Sequence, residues 1–324
     1  MNFGHRTFLL DIDFDYTSAT NAAGAVKQSE FKPVAQAFQA NIENAVGLLQ
    51  LPHGLLMWSH MEIKRLLMFT DAYLPLGLKG ADYGEAAIKK QVDEEVRRRF
   101  DQLQHDGSFE LELIPAADSK MAHLLGDPKM QRQIRMILLS LISATWTAFE
   151  ILAGDAWQLA LNSRPDQIAE KVLGQLFPSG TPEGLSAKAI PLWMAAKYGF
   201  DLRNHIGDIL KPHVDFSDLK QIQKAYAAAF GTNAAFESAV ADKNLLTLGA
   251  TRNLVVHRGG LVDEKYNKIT NQSFETSQPL PLDPTFLSGI LEAGMTACRT
   301  LITCVDGWLC ANPPIKSGDT GQTA

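Results

Sequence analysis

Cysteine and long apolar runs are both scarce in this chain. Its 324 residues contain three cysteines, and the six-residue spacing of Cys298, Cys304 and Cys310 does not match a zinc site. An odd number of cysteines without a signal peptide indicates reduced thiols, packed as small apolar side chains on a helix. No apolar run reaches the roughly 18 residues that span a bilayer, so we predict a cytoplasmic protein with no membrane segment.

Positive charge is also limited. The 30 Lys and Arg residues are outnumbered by 36 Asp and Glu residues, which gives a formal net charge of -6. This balance excludes a protein whose whole surface attracts nucleic acid, so any RNA contact must come from a few placed cations. The basic run Arg97-Arg98-Arg99 has acidic neighbours, which indicates an ion-paired helix surface. The hydrophobic fraction of 46% is typical of a globular chain with a sizeable core.

Apolar and acidic residues alternate in two stretches of the first third of the chain, at 10–16 and 109–113. A period of two is typical of β-strands, and the two stretches are predicted to pair in a small sheet. The aspartates of the first stretch then form a solvated strand face, because too few apolar residues precede them for a phosphatase-type site. Helices are predicted between the stretches, at 31–50, 54–75 and 84–105. Residues 1–129 are thus predicted to form an α+β region.

From residue 130 onward the sequence is predicted to be a helical bundle. Apolar residues follow three-four spacing from Ile134 to Leu152, which predicts a long helix to about residue 161. The pair Gly259-Gly260 is a helix stop, and Asp283-Pro284 opens a last helix to about residue 309. The fold is therefore predicted to be mainly α, with a bundle over 130–311. Residues 312–324 are short of apolar residues and are predicted to be a disordered tail.

The segment Thr251 to Gly260 carries the residues best suited to catalysis. It reads TRNLVVHRGG, so that Arg252, Asn253, His257 and Arg258 surround one helix end. Five residues are about 140° around an ideal helix, so Arg252 and His257 converge only if His257 lies on a loosened last turn. The two glycines favour such a turn because they adopt the backbone angles that end a helix.

These residue types suit the cleavage of RNA. Attack of a 2′-hydroxyl on the neighbouring phosphate needs a base, an acid for the 5′-oxygen and a cation for the developing charge. Imidazole can transfer the protons, and guanidinium binds phosphate oxygens through two N–H groups. Asn253 is predicted to orient the ribose or the histidine. No metal or other cofactor is required by this scheme.

The same residues resemble the Arg-Asn-x-x-x-His signature of HEPN ribonucleases, which in general form is R-x4-6-H. The continuation His257 to Tyr266 is similar to a vHRGGxVDxxY run of one HEPN subset. The segment from Tyr198 to Phe230 resembles its second-helix region, and Ala144 to Glu150 resembles its opening helix. The resemblance covers about residues 130–311 and does not extend to 1–129.

The resemblance implies a HEPN-like helical bundle with Arg252 and His257 as the catalytic pair and Asn253 as their polar companion. Glu150 would be an acidic residue that contacts the motif from the first helix. Two protomers would form a homodimer with a composite site. HEPN proteins occur in toxin–antitoxin and phage-defence systems, so an antitoxin or another defence component is an implied partner, and RNA is the implied substrate.

Three further residues are predicted to contact RNA: Arg258, Arg203 and Tyr266. Other interpretations stay open for each: a solvated charge for Arg258, a surface pair with His205 for Arg203, and packing over the glycine turn for Tyr266. Arg252 and His257 themselves could simply cap a helix end. The alternative function is a non-catalytic module that dimerises and binds RNA or protein. A third hypothesis is a sensor whose first 129 residues recognise a phage or host component.

Overall fold

The structure, a computed structural model, describes residues 12–78, 85–105, 108–176 and 196–314. It is mainly α-helical, which confirms the coarse prediction of the fold class. The α-helices of the described residues are α1 (Tyr16–Gly24), α2 (Lys32–Leu78), α3 (Glu85–His105), α4 (Ser108–Leu125), α5 (Pro128–Ser163), α6 (Pro165–Leu176), α7 (Ile206–Leu210), α8 (Leu219–Phe230), α9 (Ala234–Val240), α10 (Lys243–Arg258), α11 (Glu264–Thr270) and α12 (Pro284–Ala311).

The chain divides into two compact units. The larger unit takes the described residues of 12–46 together with those from 138 onward, and the smaller unit takes the described residues of 47–137. This division differs from the boundary drawn at residue 129, because residues 12–46 pack with the C-terminal helices. The backbone N–H of Asp15 donates to Glu292 on α12 over 2.7 Å, and that of Lys27 donates to Asp306 over 3.1 Å.

The predicted pair of β-strands is wrong where the structure describes it. Residues 109–113 lie within helix α4, and Tyr16 begins helix α1, with Asp15 as its N-cap. Leucine and glutamate favour helices, and a five-residue alternation is too short to outweigh that propensity. Leu111, which would lie on the apolar face of the predicted strand, is 78% exposed. Residues 10 and 11 of the first stretch lie outside the described residues.

Helix ends in the larger unit follow local signals. Asp283 caps α12 by accepting from the Phe286 N–H over 2.9 Å, and Pro284 occupies the first turn, as predicted. Residues 312–314 are described and are held in part: Arg164 Nε donates to the Asn312 carbonyl over 2.6 Å. The predicted disorder of the tail therefore does not hold for Asn312, and residues 315–324 lie outside the described residues.

Helix α5 is the central helix of the larger unit. Its Trp157 is fully buried and donates from Nε1 to the carbonyl of Ala225 on α8 over 3.0 Å. Tyr226 of α8 returns a bond from its hydroxyl to the Ala153 carbonyl over 2.8 Å. By length and composition, α5 is also the one helix of the described residues that could cross a membrane. The core helix of a folded domain meets the same criterion, and 56% of the most apolar 18-residue stretch of α5 is buried inside the molecule.

The smaller unit contains α3, α4 and the second part of α2. One unbroken α2 replaces the two helices predicted at 31–50 and 54–75, and it continues through Pro52 and Gly54. His53 is buried and bonds through Nε2 to Asp118 of α4 at 3.2 Å. On α3, Arg98 and Arg99 both pair with Glu95, at 2.8 and 2.7 Å, so these two arginines form the ion-paired surface that the sequence indicates.

Candidate active site

Helix α10 carries the candidate residues, and its inner face anchors it. Asp242 caps the helix by accepting from the Asn244 N–H over 2.7 Å. Leu245 and Leu248 are buried along its length. Gly249 lies against the indole of Trp146 on α5, where a Cβ would come within 2.7 Å of the ring. The absence of a side chain at Gly249 thus sets how closely α10 approaches α5.

We expect Gly249→Ala to destabilise the protein by about 1–3 kcal/mol, because the added methyl group would overlap the buried indole of Trp146. The measurement is the free energy of unfolding from urea denaturation. Gly307→Ala is the matched control: Gly307 also lies in a helix, α12, but a Cβ there would meet nothing within 4 Å. An equal loss of stability in both variants would contradict the close packing of α10 on Trp146.

The C-terminal end of α10 is fixed by its two glycines. Gly259 has φ +62° and Gly260 has φ +80°, both in the left-handed region that glycine adopts without steric cost. Their amides donate back to the carbonyls of Val255 over 3.0 Å and Leu254 over 3.2 Å. The carbonyl of Gly260 then accepts from the Leu280 N–H over 2.9 Å, so the helix end is joined to the extended segment that precedes α12.

A small apolar cluster lies beneath this helix end. It is formed by Ala250, Leu254, Val262, Tyr266 and Leu280. Tyr266 is 2% exposed, and its hydroxyl lies 3.3 Å from the buried hydroxyl of Thr251. Burial raises the pKa of Tyr266. The enclosed side chain packs over the glycine turn and helps to hold α10 in place, which favours the packing interpretation of Tyr266 over a contact with RNA.

Arg252 is the partly buried cation of the motif, with a side chain 23% exposed. Its Nη1 donates to the side-chain oxygen of Asn253 over 3.0 Å, and its Nη2 lies 3.7 Å from Glu150 Oε2 on α5. That distance is too long for a direct hydrogen bond. Glu150 Oε2 is itself buried and has no hydrogen-bond partner among the described residues. The carboxylate therefore attracts the guanidinium without consuming its N–H donors.

His257, Asn253 and Arg258 are exposed at the same helix end. The predicted loosened last turn is not observed: α10 stays helical through Arg258, because the left-handed glycines end it only at Gly259. The five-position step from Arg252 to His257 thus places their side chains about 140° apart around the helix. Arg252 is drawn toward α5, whereas His257 projects into solvent. One copy of the helix does not bring the two groups to one face.

Arg203 lies elsewhere in the larger unit. It pairs with Asp166, which follows the end of α5 at Ser163. Thirteen residues separate Ser163 from Glu150, a distance of about 20 Å along a helix axis. The structure therefore brings Glu150 and Asn253 to Arg252 but does not bring Arg203 to them. His205 bonds through Nδ1 to Asp208 over 2.7 Å and stacks on Tyr198. Arg203 and His205 therefore both contact residues close to them rather than the residues of α10.

Sequence reasoning did not single out Thr251, Trp146 or Gly249, which position the site. Thr251 Oγ1 donates to the Thr247 carbonyl over 2.7 Å and contacts Tyr266. No local pattern indicates the contact of Thr251 with Tyr266 or that of Gly249 with Trp146, because each of these two joins residues from different helices. Comparison of the chain with protein-family models, with curated proteins and with solved structures gives no match. The resemblance to HEPN ribonucleases therefore stays a prediction.

Proposed function

We propose that this protein is a metal-independent endoribonuclease of the HEPN type, and that it acts as a toxin or a phage-defence effector in the cytoplasm. The observation that carries the proposal is the state of Arg252: a guanidinium beside a buried carboxylate oxygen, on the helix end that exposes His257. A cation held in this way is oriented before substrate arrives, which is the condition for stabilising charge that develops on a phosphate.

In the proposed reaction the 2′-oxygen of a ribose attacks the adjacent phosphorus. The P–O5′ bond breaks, leaving a 2′,3′-cyclic phosphate on one product and a 5′-hydroxyl on the other. His257 transfers protons between the 2′-hydroxyl, solvent and the departing 5′-oxygen. Arg252 binds the phosphate oxygens as their charge increases, and Asn253 orients the ribose or the imidazole. The exposed guanidinium of Arg258 adds a phosphate contact beside them.

A second copy of the chain would complete this site. The angular separation of Arg252 and His257 on one helix supports a composite arrangement, in which a phosphate contacts His257 of one copy and Arg252 of the other. The outer side of α10 also exposes apolar side chains beside the catalytic candidates: Val256 is 56% exposed. Apolar surface next to a histidine and an asparagine is suited to contact with another protein copy, and an antitoxin would compete for the same surface.

The proposal is tested by incubating the purified protein with labelled single-stranded and structured RNAs in excess EDTA. We expect cleavage to continue in the chelator, with fragments that end in a 2′,3′-cyclic phosphate and a 5′-hydroxyl. Cleavage that stops in EDTA, or fragments that end in a 3′-hydroxyl and a 5′-phosphate, would contradict the mechanism. Chemical identification of the ends separates this activity from a contaminating metal-dependent nuclease.

One observation favours the alternative of a non-catalytic binding module. The Arg252 guanidinium already has two side-chain neighbours, Asn253 and Glu150, and such contacts also serve a structural helix end. A module of this kind would bind RNA or protein through Arg258 and Asn253 without cutting. Binding of RNA with no cleavage over a range of substrates, and with equal affinity in His257→Ala, would support this alternative over the ribonuclease.

A further inference from the structure

A row of apolar side chains on α2 of the smaller unit has no explanation in the proposed ribonuclease. The row consists of Leu48, Leu51, Leu55 and Trp58, which are 43% to 58% exposed. We call these four residues the α2 row. Single exposed leucines are ordinary on protein surfaces, but four large apolar side chains in succession on one helix are not. Their spacing of three, four and three residues is that of the buried seam of a coiled coil.

The spacing identifies the kind of surface that would cover the α2 row. Seams with three-four spacing receive another helix, whose side chains fit between their own. The row reads the same in both chain directions about residue 53. An antiparallel second copy therefore places Leu48 opposite Trp58 of that copy, and Leu51 opposite Leu55. A two-fold interface needs a patch that is complementary to itself in this way.

The residues around the row favour the antiparallel over the parallel pairing. Glu62 and Arg65 continue the same helical face beyond Trp58, and a parallel pairing would set each of them against its own copy. Like charges opposite one another oppose association. Gly54, near the centre of the antiparallel pairing, has nothing within 4 Å of the position of a Cβ. The two helices can thus approach closely where they would cross.

A lipid surface fits this helix less well than a second copy does. Helices that lie on membranes combine an apolar face with a polar face rich in Lys and Arg. Residues 47–61, which contain the α2 row, include no Lys, Arg, Asp or Glu. The helix therefore offers anionic headgroups no charge to bind along this stretch.

We propose that the α2 row is a homotypic interface, in which two copies of the chain pair their α2 helices in antiparallel orientation. The inference is independent of the proposed ribonuclease, because it concerns the smaller unit and none of the residues of α10. The side chains of the row would bury on the order of 1,000 Å² over two copies, which is at the low end for specific interfaces. We therefore expect association that depends on protein concentration.

The first test is sedimentation velocity of the full chain and of Leu55→Glu over a range of concentrations. We expect the wild type to associate as concentration rises and Leu55→Glu to lose this step, halving the limiting mass. Leu67→Glu is the matched control, since Leu67 is also exposed on α2, at 60%, but lies on the side of the helix away from the row. A wild type that never associates, or equal loss in both variants, would overturn the proposal.

The second test fixes the orientation by disulfide formation in a Cys310→Ser background. Burial raises the pKa of Cys304 to about 11 and that of Cys298 further, so both stay protonated and unreactive, whereas Cys310 is exposed. Under mild oxidation we expect Gly54→Cys to form covalent dimers across the two-fold axis. Leu48→Cys should not, because antiparallel pairing separates its two copies by about 15 Å along the axis.

Two outcomes, one from each test, would overturn the proposed interface. Efficient cross-linking of Leu48→Cys without cross-linking of Gly54→Cys would show a parallel pairing and overturn the proposed register. Association that survives Leu55→Glu but is lost in Val256→Glu would place the homotypic interface on α10 and remove it from the α2 row. Because RNA cleavage is not the readout, failure of this interface leaves the ribonuclease proposal untouched.

Discussion

Replacing His257 with alanine is expected to lower the rate of RNA cleavage by about 10²–10⁴-fold, the usual contribution of a group that transfers protons in the transition state. His257 is exposed, so its removal leaves no cavity in the core. We therefore expect the stability of the variant to stay within about 0.5 kcal/mol of wild type, as for other surface substitutions. The measurements are single-turnover cleavage rates and a urea denaturation curve for each protein.

The control for this variant is His60→Ala, which removes another exposed histidine, from α2 of the smaller unit. Its cleavage rate should equal that of wild type, which separates loss of the proton-transfer group from a general effect of removing an imidazole. Undiminished cleavage by His257→Ala would remove His257 from the mechanism. A loss of cleavage that comes with unfolding would assign His257 a structural role in its place.

Sequence predicts the helix ends around the site well because their causes are local. The Asp283-Pro284 start of α12 and the Gly259-Gly260 end of α10 each depend on groups within a few residues: a carboxylate that accepts an N–H bond, or a backbone in the left-handed region. Such signals need no tertiary information. The central helix was predictable for a similar reason, since the apolar spacing from Ile134 onward repeats over many turns.

The predictions that differ from the structure depend on contacts that a sequence pattern does not contain. The alternation at 109–113 fits a strand and a helix equally in so few residues, and the flanking helical sequence decided for α4. Residues 12–46 pack with the larger unit through bonds such as that from Lys27 to Asp306, 279 positions away. For Tyr266 the sequence left a contact with RNA and packing over the glycine turn both open, and its ring lies in the cluster under that turn.

The candidate site contains both features that the sequence predicts and contacts that it does not. Arg252, Asn253 and His257 were found from their order in the sequence, and the structure brings Glu150 to Arg252 from a helix about a hundred residues earlier. The expected convergence of Arg252 and His257 failed because the helix continues to Arg258 before the glycines end it. Because Arg252 and His257 lie on different sides of one helix, the proposed mechanism requires that a phosphate contact Arg252 of one chain and His257 of another.

Replacing Arg252 with alanine is expected to lower cleavage by about 10²–10³-fold, the typical effect of losing one group that stabilises charge in the transition state. Arg252→Lys is the informative companion variant. It keeps a positive charge near Glu150, so the buried carboxylate oxygen retains its cation, but it loses the two-pronged guanidinium. We expect Arg252→Lys to fold as stably as wild type and to cleave slowly. Full activity of Arg252→Lys would show that only charge is needed.

The proposed composite site also predicts how the two inactive variants behave when they are mixed. Arg252→Ala and His257→Ala would each remove a different one of the two groups in a site. If a site takes Arg252 from one copy and His257 from the other, a mixed dimer of the two inactive variants contains one intact site and one doubly defective site. Random exchange makes half of the dimers mixed, so the mixture should recover about a quarter of wild-type activity. Both variants are purified separately, mixed and assayed by cleavage rate.

Exchange of copies between dimers is verified with differently tagged proteins. If exchange occurs but activity does not recover, Arg252 and His257 of the same chain act together. The end of α10 would then have to bend to bring these two side chains to one phosphate.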